Sequence, residues 1–234
     1  MTIKQFIKEI KFNDLQPMQD GVGHYANVGF EFSNTVFPED NDLIKSNMEV
    51  IQNIPKYSTL AIAGVVTKAV QLMPENQVYL NIGYLFGYSL FAGMVGNNNK
   101  TCIGVDNFSD SVDCSSDFHK YWKKMMVHNQ KSKFYEMDYK EYLNNIHKEQ
   151  IGVYYYDAIH TREDQYNALV MAEKFLVSGS IVIIDDINIE PMKTSTERFI
   201  KEREDLYETL FIAETFGNGH PTWWNGIYVF RKKV

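Results

Sequence analysis

Residues 77–89 read QVYLNIGYLFGYS. Val78, Leu80 and Ile82 alternate with Tyr79 and Asn81, which is the period of a strand, and Gly83 and Gly87 follow at positions where backbone can approach a ligand closely. A helix beginning near Tyr88 and Ser89 would aim its unpaired N–H groups at whatever sits above the turn. The same glycines also suit a strand that simply packs tightly on the following helix.

Outward from this unit, strands and helices alternate, the pattern of a parallel α/β sheet. The spacing predicts strands at 77–83, 100–106, 132–138, 151–157 and 179–186, with helices near 88–95, 116–129, 139–147 and 163–176. A charged helix near 194–205 precedes LYETLFIAETF (206–216) and NGIYVFRKKV (225–234), two strands expected to close the sheet as an antiparallel hairpin. The fold class is therefore α/β, a doubly wound, Rossmann-like sheet of seven strands.

Upstream, Thr2 to Lys11 suits a short amphipathic helix. The irregular stretch from Phe12 to Asp40 carries Tyr25, Phe30, Phe32 and Phe37, which read either as a lid over a pocket or as an apolar strap across the core. A helix from Asp42 stops at Pro55, and Ser58 is expected to cap the nearly apolar helix STLAIAGVVTKAVQLM (58–73). This divides the chain into an N-terminal helical, lid-like extension (1–57) and one α/β domain (58–234).

With 234 residues, 44% hydrophobic and 14% aromatic, the chain can fill one core. A net charge of -7 argues against nucleic-acid and anionic-membrane partners, which require a basic face, and leaves room for a homo-oligomer. No apolar run is long enough to span a bilayer, and the lysines of MTIKQFIKEIKF are scattered through its hydrophobic residues, unlike a signal peptide. A cytoplasmic protein is expected. Cys102 falls in a predicted buried strand and Cys114 in a polar loop, so reduced thiols are expected as well.

Several acidic residues fall at strand ends, where α/β folds bind ligands. Asp106 ends TCIGVD (101–106), one βαβ step after the glycine turn, where a carboxylate can accept from both hydroxyls of a ribose; alternatively it begins a turn. Asp138 ends KFYEMD (133–138) and either borders the same crevice, near an adenine amino group, or caps the following helix. Asp157 with Asp185 and Asp186 would bring three carboxylates to one sheet edge, a set of hard oxygen ligands suited to Mg²⁺, Mn²⁺ or Ca²⁺; the alternative is that Asp185 and Asp186 accept from loop N–H groups. His160 is a candidate general base or partner of a ligand carboxylate, or an ordinary residue at a helix start. In GNGHPTWWNG (217–226), Trp223 and Trp224 offer a stacking face for a sugar or aromatic acceptor, with His220 and Asn225 as polar contacts, though at least one tryptophan is expected to complete the core.

Together YLNIGYLFGYSL (79–90), IGVDNF (103–108), YYYDAIHTREDQYNAL (154–169) and FLVSGSIVIIDDIN (175–188) resemble the class I S-adenosylmethionine-dependent methyltransferases. Within them the chain is similar to the metal-dependent small-molecule O-methyltransferases of the macrocin and aminocoumarin-sugar type, from about Ser58 onward. The resemblance implies a sheet in the order 3-2-1-4-5-7-6 with the last strand antiparallel, and S-adenosylmethionine as cofactor. It places Asn81, Gly83, Gly87, Tyr88 and Ser89 at the methionine half of the cofactor, Asp106 at the ribose and Asp138 on the adenine side. It makes Asp157, Asp185 and Asp186 the ligands of a divalent cation, Mg²⁺ foremost, beside the cofactor, with His160 as the base that takes a hydroxyl proton. Two positions depart from the family pattern: Asn81 stands where Glu or Asp is common, and Ala158 and Ile159 replace a Gly and a polar residue ahead of His160. These departures motivate a second reading, a catalytically lapsed S-adenosylmethionine-binding protein with an assembly or regulatory role. A third, a nicotinamide oxidoreductase, conflicts with the G-x-x-x-G spacing of the turn.

Overall fold

The computed structural model describes residues 1–15, 28–109, 114–216 and 219–233. Tyr25 of the aromatic stretch and Gly217 and Asn218 of the tail segment lie outside them. The N-terminal part runs α1 (Ile3–Glu9), β1 (Lys11–Phe12), α2 (Val28–Asn34), β2 (Thr35–Val36), α3 (Asn41–Glu49) and α4 (Leu60–Leu72). Next come β3 (Val78–Ile82), α5 (Tyr88–Met94), β4 (Thr101–Asp106), α6 (Cys114–Met125), β5 (Lys133–Glu136), α7 (Tyr139–Glu141) with a π-helical turn over Tyr142–Ile146, and β6 (Ile151–Tyr156). The chain finishes with α8 (Arg162–Glu173), β7 (Leu176–Asp185), α9 (Glu190–Lys201), β8 (Tyr207–Ala213) and β9 (Ile227–Lys232).

The main sheet has seven strands in the order β5-β4-β3-β6-β7-β9-β8. Numbered by their own succession this is 3-2-1-4-5-7-6, and β9 runs antiparallel to both its neighbours, as the sequence patterning and the resemblance imply. Two apolar layers enclose it. Tyr79, Val153, Tyr155 and Ile183 pack on one face with α4 and α5, whereas Leu80, Ile82, Tyr154, Tyr156 and Ile184 pack on the other with α8 and α9. Strand residues two apart share a face, so fully buried strands of this kind supply apolar side chains to both layers at once.

Three local expectations are corrected. The helix entered at Asp42 ends at Glu49 rather than Ile54; Val50, Ile51 and Ile54 instead donate to carbonyls three residues back, a loosening into turns ahead of Pro55. Helix α4 is capped by Thr59, whose side chain accepts from the Ile62 N–H, while the Ser58 hydroxyl is buried without a partner. Cys114 is a buried residue of α6 and not part of a polar loop, and neither Cys102 nor Cys114 is in a disulfide. Among the described residues no helix is long and apolar enough to cross a membrane.

The N-terminal part is joined to the sheet domain through one core. Phe37 stacks on Phe6 at 5.9 Å, and both belong to the apolar cluster that contains α4. Its ring lies directly over Gly64 in the middle of α4, where a Cβ would collide with it. Gly64→Ala would by helix propensity alone stabilise the protein by about 1 kcal/mol. We expect the opposite sign, a loss of about 1–3 kcal/mol from overpacking against Phe37, read as a lowered midpoint in denaturant unfolding. A stabilised variant would show that this docking is loose.

Candidate active site

At the carboxyl ends of β3, β4 and β6 a cavity of about 670 Å³ opens. Its floor is the turn after β3. Gly83 has φ of 78°, and a Cβ there would meet the carbonyl of Asp157, so the turn can approach the end of β6 only without a side chain. Gly87, at φ 100°, begins α5 with the ring of Phe91 against it. The backbone joins the three strand ends: the Gly83 N–H donates to Val105 at 2.9 Å and the Asp157 N–H to Ile82 at 3.0 Å.

Of the residues expected at the cofactor, Gly83, Tyr88, Ser89, Asp106 and Asp157 line this cavity. Asp106 accepts from the N–H groups of Leu85 and Phe108, both at 2.8 Å, so its carboxylate also pins the turn. Burial raises its pKa, and the backbone donors oppose that shift. Asn81 lies behind the wall, fully buried, with its amide donating to the Tyr79 hydroxyl and to Ser89 Oγ, both at 2.8 Å. Ser89 Oγ accepts there, which leaves its own hydrogen for another acceptor. Gly87 supports the turn from outside the lining. Asp138 caps α7 by accepting from the Lys140 N–H at 2.7 Å and does not line the cavity, the arrangement its alternative role describes.

The acidic constellation is brought together in part. Asp157, His160 and Asp186 each offer a ligand atom, all within 4.8 Å of one another; His160 Nε2 is 3.5 Å from Asp157 Oδ1 and 3.4 Å from Asp186 Oδ2. Asp186 Oδ1 is buried without a hydrogen-bond partner. Asp185 differs from the expectation: it is fully buried, accepts from the Tyr155 hydroxyl and the Asp186 N–H, and does not line the cavity. Burial, then the charges of Asp157 and Asp186, pushes the Asp185 pKa well above the carboxylate range. Burial and the Asp157 charge push Asp186 to about 7. An orphaned carboxylate oxygen beside a second carboxylate and an imidazole is a donor set that fits a divalent cation.

Trp224 and Asn225 line the cavity mouth, with Tyr57 edge-on to Trp224 at 6.4 Å. Trp223 instead completes the core between Phe12 and Phe211, and His220 turns to Thr222 at 2.8 Å. The sequence reading missed Lys56, Tyr57, Ser58, Tyr84 and Tyr155 as wall residues. Lys56 carried one signal, since it is the single charged residue between Glu49 and Lys68.

Residues 80–187 match the family model of a methyltransferase domain. No curated protein matches the chain. Among solved structures, an O-methyltransferase from Bacillus cereus in complex with SAH is 16% identical with a TM-score of 0.61, over 82% of this chain and 91% of that one. The O-methyltransferase TomG of tomaymycin synthesis from Streptomyces achromogenes, in complex with SAM, is 10% identical with a TM-score of 0.60, over 93% and 100%. A TDP-rhamnose 3'-O-methyltransferase of calicheamicin biosynthesis is 16% identical with a TM-score of 0.55, over 92% and 97%. These likenesses establish the class I methyltransferase fold.

The carboxyl of Asp186 yields a stability test. Its folded pKa, about 7, exceeds the unfolded value, so its protonated form favours the folded state. That contribution is complete below the unfolded value of ~3.9 and is lost as pH rises through about 7. In metal-free buffer the melting temperature is expected to fall from about pH 4 to about pH 7, and Asp186→Asn should make that decline shallower, Asp185 contributing the remainder. An equally steep decline in the variant would place the titrating group elsewhere.

Proposed function

We propose that this chain, built on the class I methyltransferase fold, transfers a methyl group from S-adenosylmethionine to a hydroxyl of a small molecule or sugar, assisted by a divalent cation. One observation carries the reading: a single cavity joins the glycine turn and Asp106 to the Asp157, His160 and Asp186 cluster. The methyltransferase domain match and the SAM and SAH held by similar folds support the cofactor. Tyr57 and Trp224 at the mouth suit a flat or sugar acceptor, and residues 1–57 supply part of that mouth.

The cofactor supplies a methyl group on a positively charged sulfur, and a cation held by Asp157 and Asp186 would lower the acceptor hydroxyl's pKa. The protein's part is to align acceptor oxygen, methyl and sulfur and to remove one proton. Gly83 lets backbone reach the methionyl side, while Asp106 faces the ribose side. His160 Nε2 would take the hydroxyl proton, and the charge it gains would be stabilised by Asp157 and Asp186, whose oxygens lie 3.5 and 3.4 Å from that nitrogen. With the cofactor bound, its methyl carbon would pass to the acceptor oxygen as the carbon–sulfur bond broke, leaving that electron pair on a neutral sulfur. Asp185, held by Tyr155, backs the cluster from inside and stays apart from the cation.

Calorimetry with S-adenosylmethionine, and mass spectrometry of a sugar and phenol panel, test this. Asp157→Asn or Asp186→Asn should lower turnover at least ~100-fold while cofactor affinity changes only a few-fold, and chelator should silence the wild type until Mg²⁺ is restored. Cofactor binding with no methylated product across the panel would favour the lapsed, binding-only protein. Full turnover in chelator would remove the cation from the mechanism.

A further inference from the structure

The segment 55–58 leads into α4 and carries a buried charge that the methyl-transfer chemistry does not use. Lys56 and Glu31, with side chains 5% and 6% exposed, form an ion pair at 2.5 Å. The same Glu31 oxygen accepts from the Leu60 N–H at 2.9 Å, so the carboxylate is fixed by the start of α4. Lys56 Nζ also reaches the Tyr88 hydroxyl at 3.4 Å, its ring lying 4.6 Å away. Burial opposes the ammonium, but Tyr88 and Glu31 outweigh it and raise its pKa, so Lys56 is charged. An ammonium has three donors; among the described residues two have partners, and Lys56 is part of the cavity wall.

The second observation is Ser58. It lines the same wall, is 7% exposed, and its hydroxyl is buried without a partner. Ser89, next to Tyr88, presents a further hydroxyl whose oxygen already accepts from Asn81. A buried ammonium and two hydroxyls with hydrogens to donate make an environment for an anionic oxygen pair. A buried ion pair gives little stability over apolar residues of the same size, so stability alone does not account for its place on a cavity wall.

We infer that Lys56 and Ser58, with Lys56 positioned by Glu31, form the subsite that binds the carboxylate of the methionyl group of S-adenosylmethionine. This rests on the cofactor reading given above. The N-terminal extension thereby takes a direct part in cofactor selection, through a residue outside every motif of the domain. The subsite discriminates against nucleosides that carry the sulfonium but lack the carboxylate.

Calorimetry with S-adenosylmethionine and decarboxylated S-adenosylmethionine, without any acceptor, tests it. Wild-type protein should bind the decarboxylated ligand ~10–100-fold more weakly, the loss expected for hydrogen bonds to a charged group. Lys56→Met alone would strand Glu31, so the paired change Lys56→Met with Glu31→Gln is used; it should bind S-adenosylmethionine more weakly and narrow the difference between the two ligands to the ~2–10-fold that Ser58 supplies. Ser58→Ala, which breaks no ion pair, should lose ~2–10-fold for the carboxylate ligand only. Equal losses for both ligands, or no loss in either variant, would overturn the assignment. Wild-type protein that binds neither ligand would instead overturn the cofactor reading on which it rests.

Discussion

The site depends on a contact that has no room for a side chain, the approach of Gly83 to the carbonyl of Asp157. Because β3 and β6 are adjacent parallel strands, their ends emerge side by side, and only a residue without Cβ and with a left-handed φ can bend away there. Ile82, Val105, Gly83 and Asp157 then close backbone hydrogen bonds across β4, β3 and β6. The turn and the acids at the neighbouring strand ends are thus held relative to one another by main chain. Their spacing is as stiff as the sheet, which is what alignment of a donor and an acceptor requires.

Around this frame the carboxylates divide by how well they are satisfied. Asp106 accepts from two loop N–H groups, and Asp185 from Tyr155 and the Asp186 N–H, so both shape the walls. Asp157 and Asp186 have His160 between them and one orphaned oxygen, and they face the cavity. Unsatisfied buried acceptors are costly to keep. The protein keeps them where a ligand can satisfy them.

The sheet was legible because its strands are long alternating or continuous apolar runs, and the strand–turn–helix at 77–89 set where the parallel order begins. The positions of Asp106 and Asp157 were legible for the same reason, since one ends β4 and the other follows β6 directly, and both are fixed once the strand's register is. Asp185 was not. Asp185 is the last residue of β7 and points into the protein, where the Tyr155 hydroxyl meets it, whereas Asp186 lies beyond the strand at φ 58° and turns to the cavity, a break in the alternation that the sequence does not announce. Ser58 and Thr59 are equally good caps by composition; Thr59 takes the role, and its hydroxyl also donates to the Thr222 carbonyl at 2.7 Å, a tertiary contact no local pattern encodes. Trp223 and Trp224 separate likewise, one bound by Phe12 and Phe211 and the other left at the cavity.

The replacement at Asn81 gains a physical sense from the same packing. The position is fully buried between the Tyr79 hydroxyl and Ser89, and Asn supplies donors to both oxygens. An ionised acid there would take away those donors and add a charge with no cation among its contacts, a heavy cost in so dry a place. Asn81 reaches the cavity wall only through Ser89, whose oxygen accepts from its amide. Beside Tyr88 the charge is that of Lys56, paired with Glu31, which in turn accepts from the Leu60 N–H. Asn81 on the inner side of the turn and the Lys56–Glu31 pair beside Tyr88 thus surround the turn with polar groups, one neutral and one charged.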